Sequence, residues 1–333
     1  MFLKILSHIY GCFVDSRNKK FDNQKSNTIK CRAQVISIGN ISAGGSGKTP
    51  LTIALTEELL KLGKKTVVIG RGYKKKTKGA VVVSDGQTIR TNPLECGDEM
   101  LQIALAVPVP VIAHEDKSEA AMLAENMFSP DVIIVDDGFQ HRRLYRNLDI
   151  VILDKDTINN PFLLPYGRLR ERLENINRAD VVAVYDDLPD DLLKFVSEKQ
   201  LLIKLKLIAE LPYLADDKDV RLNNKLIEGK TFFAISSIAK PQKFEQSLIE
   251  LNINYSEHLK FRDHHFYKED DIKKILANCN KQKIKSLITT EKDSVKLKQF
   301  LKIFKDNNIE CFVLPVRLEI IEGKQDLLEK LNQ

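Results

Sequence analysis

Hydrophobic positions along the chain follow two rhythms, which divide it into a short opening segment and a long alternating body. Phe2, Leu3, Ile5, Leu6, Ile9, Tyr10, Phe13 and Val14 recur every three or four residues. On a helix this gathers them along one side and leaves Lys4, Ser7 and His8 on the other. Short β-branched runs follow at Val35 to Ile38, Thr66 to Ile69, Val81 to Val83, Val132 to Val135, Ile150 to Leu153 and Val181 to Val184. Unbroken apolar runs of this length fit strands buried on both faces of a parallel sheet. Helical stretches at Leu51 to Leu62 and Lys117 to Met127 lie between some of them. This half therefore predicts a doubly wound α/β domain with ligands at the carboxyl ends of its strands.

Polar residues around Asp186 to Asp191 and a lysine-rich stretch to Lys206 mark a predicted boundary. Beyond it, a strand at Thr231 to Ile235, a helix at Gln242 to Leu251 and a strand at Ser286 to Thr289 predict a smaller α/β unit. The expected organisation is an amphipathic helix and basic segment over 1–32, a nucleotide-binding domain over 33–190 and the smaller domain over 191–333. With 43% apolar residues in 333, two buried cores are within reach.

Charge changes the picture of the opening segment. Residues 1–32 hold seven Lys or Arg against Asp15 and Asp22, so they carry +5 of the chain's formal +6. The nearly neutral remainder argues against a nucleic-acid partner. Roughly 14 residues cannot span a bilayer as a helix, which needs about 20. No small-x-small cleavage site follows, so export is not expected. An interfacial helix on an anionic membrane is the expectation, and a helix docked on the protein's own core is the alternative. Five cysteines without a C-x-x-C pair fit a reduced, cytosolic setting.

Candidate chemistry starts at Gly44-Gly45-Ser46-Gly47-Lys48-Thr49, directly after the first strand and before a helix. A glycine-rich turn in this position aims backbone N–H groups and a helix N-terminus at phosphate oxygens. Lys48 would place a charge on the terminal phosphates, and Thr49 could ligate magnesium. Ser42 stands where the strict phosphate-loop pattern has glycine. The strand Val132 to Val135 ends in Asp136 and Asp137, where a phosphate-loop protein brings acid to the magnesium shell. Gly138 to Arg143 adds side chains that could meet substrate or nucleotide. Asp98 and Glu99 lie on a short acidic turn able to supply a base or a metal-linked group, or simply to cap a helix. Asp263-His264-His265 could orient a catalytic carboxylate or lie on a surface loop. Gly167 to Arg172 packs three arginines around one acid, as a phosphate grip or a solvated helix face.

Taken in order, these stretches resemble the tetraacyldisaccharide 4'-kinase family of lipid A biosynthesis. The likeness runs through Ser37-Ile38-Gly39-Asn40, Gly47-Lys48-Thr49-Pro50, Arg71-Gly72-Tyr73, Gly97-Asp98-Glu99, Asp136 to Leu144, Leu169-Arg170-Glu171, Phe261-x-Asp263-His264 and Thr290-Glu291-Lys292-Asp293. The resembling kinases share a serine at the Ser42 position. The resemblance implies a phosphate-loop fold and transfer of the ATP γ-phosphoryl group to the 4'-hydroxyl of tetraacyldisaccharide 1-phosphate. It places the enzyme, with ATP and Mg2+, at the cytoplasmic face of the bacterial inner membrane, and the chain is read as a monomer. By that likeness Asp98 is the base and His264 its partner, with Lys48 and Thr49 serving phosphates and magnesium. Asp136, Asp137 and Glu99 occupy the metal side; Gln140, His141, Tyr73 and Arg170 lie toward nucleotide or substrate. A lipid acceptor favours membrane contact by residues 2–14.

Lys74, Met100, Tyr166, Arg168 and Arg172 depart from the family's usual glycine, prolines and alanine, and the added basic residues suggest more contact with anionic lipid or substrate phosphate. Rival readings fit less well. A partitioning-type ATPase needs a lysine where Ala43 stands, and Thr290 to Asp293 has the residues of a guanine-reading motif in the wrong order. A soluble small-molecule kinase gives the amphipathic start no use.

Overall fold

A computed structural model of the chain describes residues 2–23, 27–154, 157, 160–185 and 195–332. The predicted boundary at Asp186 to Asp191 lies outside the described residues.

The six apolar runs become the strands β1 (Gln34–Asn40), β2 (Thr66–Gly70), β3 (Val81–Asp85), β5 (Val132–Asp136), β6 (Leu148–Leu153) and β7 (Val181–Tyr185), and β4 (Pro110–Ala113) is a strand the sequence reading did not include. They join β8 (Leu201–Ala209) and β15 (Val316–Glu322) in one sheet of order β15-β8-β7-β6-β1-β5-β2-β4-β3. Neighbours from β8 to β4 run parallel, and the edge strands β3 and β15 are antiparallel. Ahead of this sheet the chain opens with α1 (Phe2–Asp22); α2 (Lys48–Lys61), α3 (Pro93–Cys96), α4 (Asp98–Ala106) and α5 (Lys117–Phe128) follow. Leu51, Leu55 and Leu59 of α2 and Met100, Ile103 and Ala104 of α4 pack with β1, β5 and β6 in the largest core cluster. Ala120, Ala121 and Ala124 of α5 cover the alternate residues of β1, β2 and β5. Two-sided burial is what the continuous apolar runs require.

A second sheet contains β9 (Tyr213–Leu214), β10 (Asp217–Arg221), β11 (Phe232–Ser236), β12 (Tyr255–Lys260), β13 (Ser286–Thr290) and β14 (Glu310–Leu314), ordered β10-β9-β14-β13-β11-β12. Its helices are α6 (Asn224–Glu228), α7 (Pro241–Glu250), α8 (Glu269–Gln282), α9 (Glu291–Leu297) and α10 (Leu301–Asp306).

Sheet membership does not follow the predicted division at residue 190. β8 and β15 extend the first sheet, and the final helix α11 (Lys324–Leu331) packs on it through Leu327 and Leu331. The lysines that suggested a boundary alternate with core residues. Ile203 and Leu205 are fully buried, while Lys204 pairs with Glu322 across the strand pair at 2.8 Å. A strand near a sheet edge needs only every second residue apolar.

Helix α1 docks mainly through small and polar residues and not through its apolar side, unlike the core-docked alternative. Its docked residues are Ser7, Gly11, Val14 and Asn18, one stripe at spacings of three and four. The Ser7 hydroxyl donates to the Leu163 carbonyl at 2.7 Å, and Asn18 donates to Glu171 Oε2 at 2.8 Å. A Cβ at Gly11 would stand 2.7 Å from Leu163 Cδ1, so any larger residue here requires the Leu163 side chain to shift. Arg172 donates to Asp15 at 2.9 Å, which ties one of the added basic residues to the helix rather than to an open surface. The apolar stripe faces outward: Phe2, Leu3, Ile5, Ile9 and Phe13 are 50–71% exposed. No described helix is long and apolar enough to cross a membrane.

Candidate active site

β1 ends at Asn40, and the glycine-rich turn carries the chain into α2, which begins at Lys48. Gly44 and Gly47 adopt φ of 125° and 86°, a region L side chains avoid. Tyr185 crowds the second of these from the end of β7, because a Cβ on Gly47 would lie 1.7 Å from its hydroxyl oxygen. That hydroxyl donates to the Ser46 carbonyl at 3.1 Å and pins the loop. No side chain caps α2, so its first N–H groups face the turn. Ser46 Oγ is buried without a hydrogen-bond partner in the turn. An orphan hydroxyl beside uncapped amides suits a phosphate oxygen. Lys48 Nζ donates to Asn40 Oδ1 at 3.3 Å and stands 3.5 Å from Asp137.

β5 pairs directly with β1, placing Asp136 opposite Ile38 at the carboxyl ends of both strands. Asp136 accepts a hydrogen bond from Thr52 Oγ1 at 3.0 Å. Burial, reinforced by the Glu99 carboxylate, raises its pKa to about 7. The two acids thus influence one another at the carboxyl end of β5, and Thr52, which donates to Asp136, lies one helical turn after Thr49 on α2. Asp137 turns elsewhere, through a φ of 54°. Arg170 Nη1 donates to both of its oxygens at 2.8 and 2.9 Å, and the Lys117 ammonium donates to its carbonyl. Burial alone would raise the Asp137 carboxyl, but Lys48, Arg170 and Lys117 hold it well below the usual carboxylate range. The two neighbouring acids thus have different surroundings, Asp136 beside Glu99 and Asp137 among cations.

Gln140 donates to the Asn40 carbonyl at 2.8 Å and accepts from Arg170 at 3.2 Å, joining the two sides of this cluster. His141 is drawn to the start of α5, with Nε2 3.2 Å from Ser118 Oγ and 3.4 Å from Asp116. The three arginines of 168–172 form no helix face. Arg168 Nε donates to the Ala43 carbonyl at 3.0 Å, Arg170 reaches Asp137, and Arg172 holds α1.

Asp98 opens α4 after Gly97, which has a φ of 87° and where a Cβ would stand 2.9 Å from the Gly72 carbonyl carbon. The Asp98 side chain is buried, and His264 of the second unit places Nδ1 3.0 Å from each of its oxygens. Lys292 Nζ lies 3.2 Å from His264 Nε2. An ammonium can only donate, so Nε2 accepts and Nδ1 carries the hydrogen given to Asp98. Burial favours a neutral Asp98; the His264 hydrogen bond, Lys292 and Lys296 outweigh it and lower its pKa to about 2. The Tyr73 ring meets His264 edge-on at 4.8 Å. Glu99 lies 3.7 Å from Lys292, and so borders both the dyad and Asp136.

A family model described as tetraacyldisaccharide-1-P 4'-kinase matches residues 1–333. The chain belongs to this family. A tetraacyldisaccharide 4'-kinase of Bdellovibrio bacteriovorus is 36% identical over 340 residues, covering 99% of this chain and 97% of the relative. That of Halothermothrix orenii is 34% identical over 359 residues, covering 99% and 91%. A crystal structure of LpxK from Aquifex aeolicus, described as an "apo" form in complex with ATP, superposes with a TM-score of 0.79. It is 30% identical and covers 98% of this chain and 96% of its own. The chain is accordingly a phosphotransferase of the tetraacyldisaccharide 4'-kinase type.

Sequence reading missed several members of this kinase site. Lys117 is buried beside Asp137, and Asn40 receives Lys48. Lys292 sits against His264, and Lys296 lies beneath Asp98. For Lys292 the motif Thr290 to Asp293 was a signal; an isolated lysine at 117 or 296 looks like any solvated helix residue.

Proposed function

We propose that this member of the tetraacyldisaccharide 4'-kinase family uses Asp98 to take the proton from the 4'-hydroxyl of tetraacyldisaccharide 1-phosphate as the ATP γ-phosphoryl group is transferred. The observation that carries the reading is the buried Asp98–His264 pair within a site bounded by the phosphate loop. Phosphoryl transfer needs positioning and charge stabilisation more than covalent chemistry. A buried carboxylate that stays ionised and is held from behind by an imidazole N–H is kept aimed at the attacking hydroxyl, and it acts through position rather than basicity, since the same contacts lower its pKa.

The turn from Gly44 to Thr49 holds the nucleotide phosphates, with Lys48 on the terminal ones. Asp137 keeps Lys48 and Arg170 in place, and Arg170, Gln140, His141 and Tyr73 shape the acceptor side. The donor set of Thr49, Asp136 and Glu99 fits magnesium, which takes one or two carboxylates and completes its shell with phosphate oxygens. Magnesium would neutralise charge on the phosphates.

The outward apolar stripe of α1 suits the membrane in which the acceptor resides. Burying one Phe, Leu or Ile contributes about 1.5–3 kcal/mol, so several together give reversible interfacial binding. Phe162 and Tyr166 continue the stripe, with Lys4 over the Tyr166 ring at 5.2 Å. The enzyme then works at the cytoplasmic face of the inner membrane. The direct test incubates the protein with magnesium ATP and tetraacyldisaccharide 1-phosphate in detergent and reads the product by mass. A folded, ATP-binding protein that adds no phosphate to the lipid would sink the reading.

A further inference from the structure

A buried ion pair lies beneath the dyad, in a part of the second unit that touches no proposed ligand. The Lys296 and Asp293 side chains are 1% and 0% exposed and 2.8 Å apart. Asp293 accepts from the Ser237 amide at 2.8 Å, from the Ser237 hydroxyl and from Thr290 Oγ1 at 2.8 Å. The local sequence builds this: Thr290 caps α9 by accepting from the Asp293 amide at 3.1 Å, and Lys296 follows three residues later on the same face. Lys296 Nζ also donates to Ser237 Oγ at 2.5 Å and lies over the Tyr267 ring at 5.7 Å. Its remaining direction points at Asp98 Oδ2, 3.6 Å away.

A buried ion pair is poor support for stability, since well-packed neutral residues of similar size usually do as well. This pair has a use that neutral residues lack. Asp98 stands on α4 of the first unit, whereas His264, Lys292 and Lys296 all belong to the second. His264 Nδ1 is equidistant from both carboxylate oxygens, so that contact alone leaves the carboxylate free to rock. The Glu99 amide donates to Oδ1 at 3.0 Å, and Lys296 meets Oδ2. Together they hold the plane of the carboxylate from opposite ends.

We infer that Lys296, anchored by Asp293 and Ser237, is a positioning residue that fixes the orientation of Asp98 and registers the second unit against it. The inference rests on the reading of Asp98 as the base. Removing Lys296 alone would strand Asp293 as a buried charge and could unfold the protein, so the informative variant carries Asp293→Asn together with Lys296→Met. It is compared with the wild type, with Asp98→Asn, and with all three changes combined, using full-length protein and γ-labelled ATP. ATP affinity and thermal midpoint are measured beside kcat and KM.

The expected result is a kcat lower by roughly ten- to a hundredfold in the pair variant, the range for residues in one network, with ATP affinity and thermal midpoint near wild type. In the Asp98→Asn background the same pair should change kcat by less than about twofold, because nothing remains to be oriented. An unchanged kcat in the pair variant overturns the inference. So does an equal loss in both backgrounds, or a loss that follows ATP affinity or the thermal midpoint, since each marks a purely structural role. Full activity of Asp98→Asn by itself would instead overturn the base assignment.

Discussion

His264 and Asp98 lie 166 positions apart in the chain, yet His264 Nδ1 stands 3.0 Å from both Asp98 oxygens. Asp98 opens α4 beside the first sheet and His264 lies on the turn that follows β12 of the second, so the contact forms only when the two units are packed together. Asp98→Asn should retain ATP affinity and lose about 10²- to 10⁴-fold in kcat, the range of a positioned general base. His264→Ala should lower kcat by less, because the carboxylate remains. Isothermal titration with ATP and steady-state kinetics on the lipid acceptor check both.

Asp136 and Asp137 are neighbours in sequence with opposite surroundings. Asp136→Asn should raise the magnesium concentration needed for half-maximal activity by roughly tenfold or more, since even outer partners of a metal ligand are worth about 10- to 100-fold in affinity. Asp137→Asn should move that requirement little and weaken ATP binding instead, because Lys48 and Arg170 lose their shared anchor. Magnesium titrations of the two variants at saturating ATP would separate the roles; identical magnesium shifts would refute them.

On α1 the exposed and docked faces should answer differently to substitution. Ile9→Ser with Phe13→Ser should cut partitioning to anionic phospholipid vesicles by at least roughly tenfold, given about 1.5–3 kcal/mol per buried side chain. The thermal midpoint should hold. Gly11→Val should do the reverse, lowering the midpoint because its side chain meets Leu163. Vesicle sedimentation and differential scanning fluorimetry on the same preparations provide the comparison.

Stability should carry a pH signature from Glu171. This carboxylate is fully buried; burial would raise its pKa, but hydrogen bonds from Arg178 and Asn18 more than compensate and lower it. A depressed folded pKa contributes stability that is present above the unfolded value, about 4.3, and is lost as pH falls through the folded value. Glu171→Gln should therefore be less stable than wild type at neutral pH, by about 1–3 kcal/mol for the unpaired partners. The gap should narrow as the pH falls below about 4. Urea unfolding at several pH values measures it, and a gap that widens on acidification would contradict the assignment.

Much of the first unit was readable because buried parallel strands leave unbroken apolar runs. β1, β2, β5 and β7 lie within a residue or two of their predicted ends, and the turn from Gly44 to Thr49 sits between strand and helix as its residue types required. The edge of the sheet was not readable in the same way. β8 and β15 alternate charged and apolar residues, which resembles a solvated boundary until a partner strand is present.

The glycine-rich turn, the acids at the end of β5 and the order of motifs that marks the family can all be read locally, because each depends on neighbours a few residues apart. The sequence by itself also determined that α1 is amphipathic. Which face of α1 docks depends on distant partners, since Ser7 bonds the Leu163 carbonyl, Asn18 the Glu171 carboxylate, and Gly11 lies close to the Leu163 side chain. Only the tertiary structure decided that Asp137 meets cations while Asp136 faces Glu99, and that Lys292 and Lys296 surround the Asp98–His264 pair. Those relationships depend on charges converging from separate elements in a buried space, where each is strong and none is local in sequence.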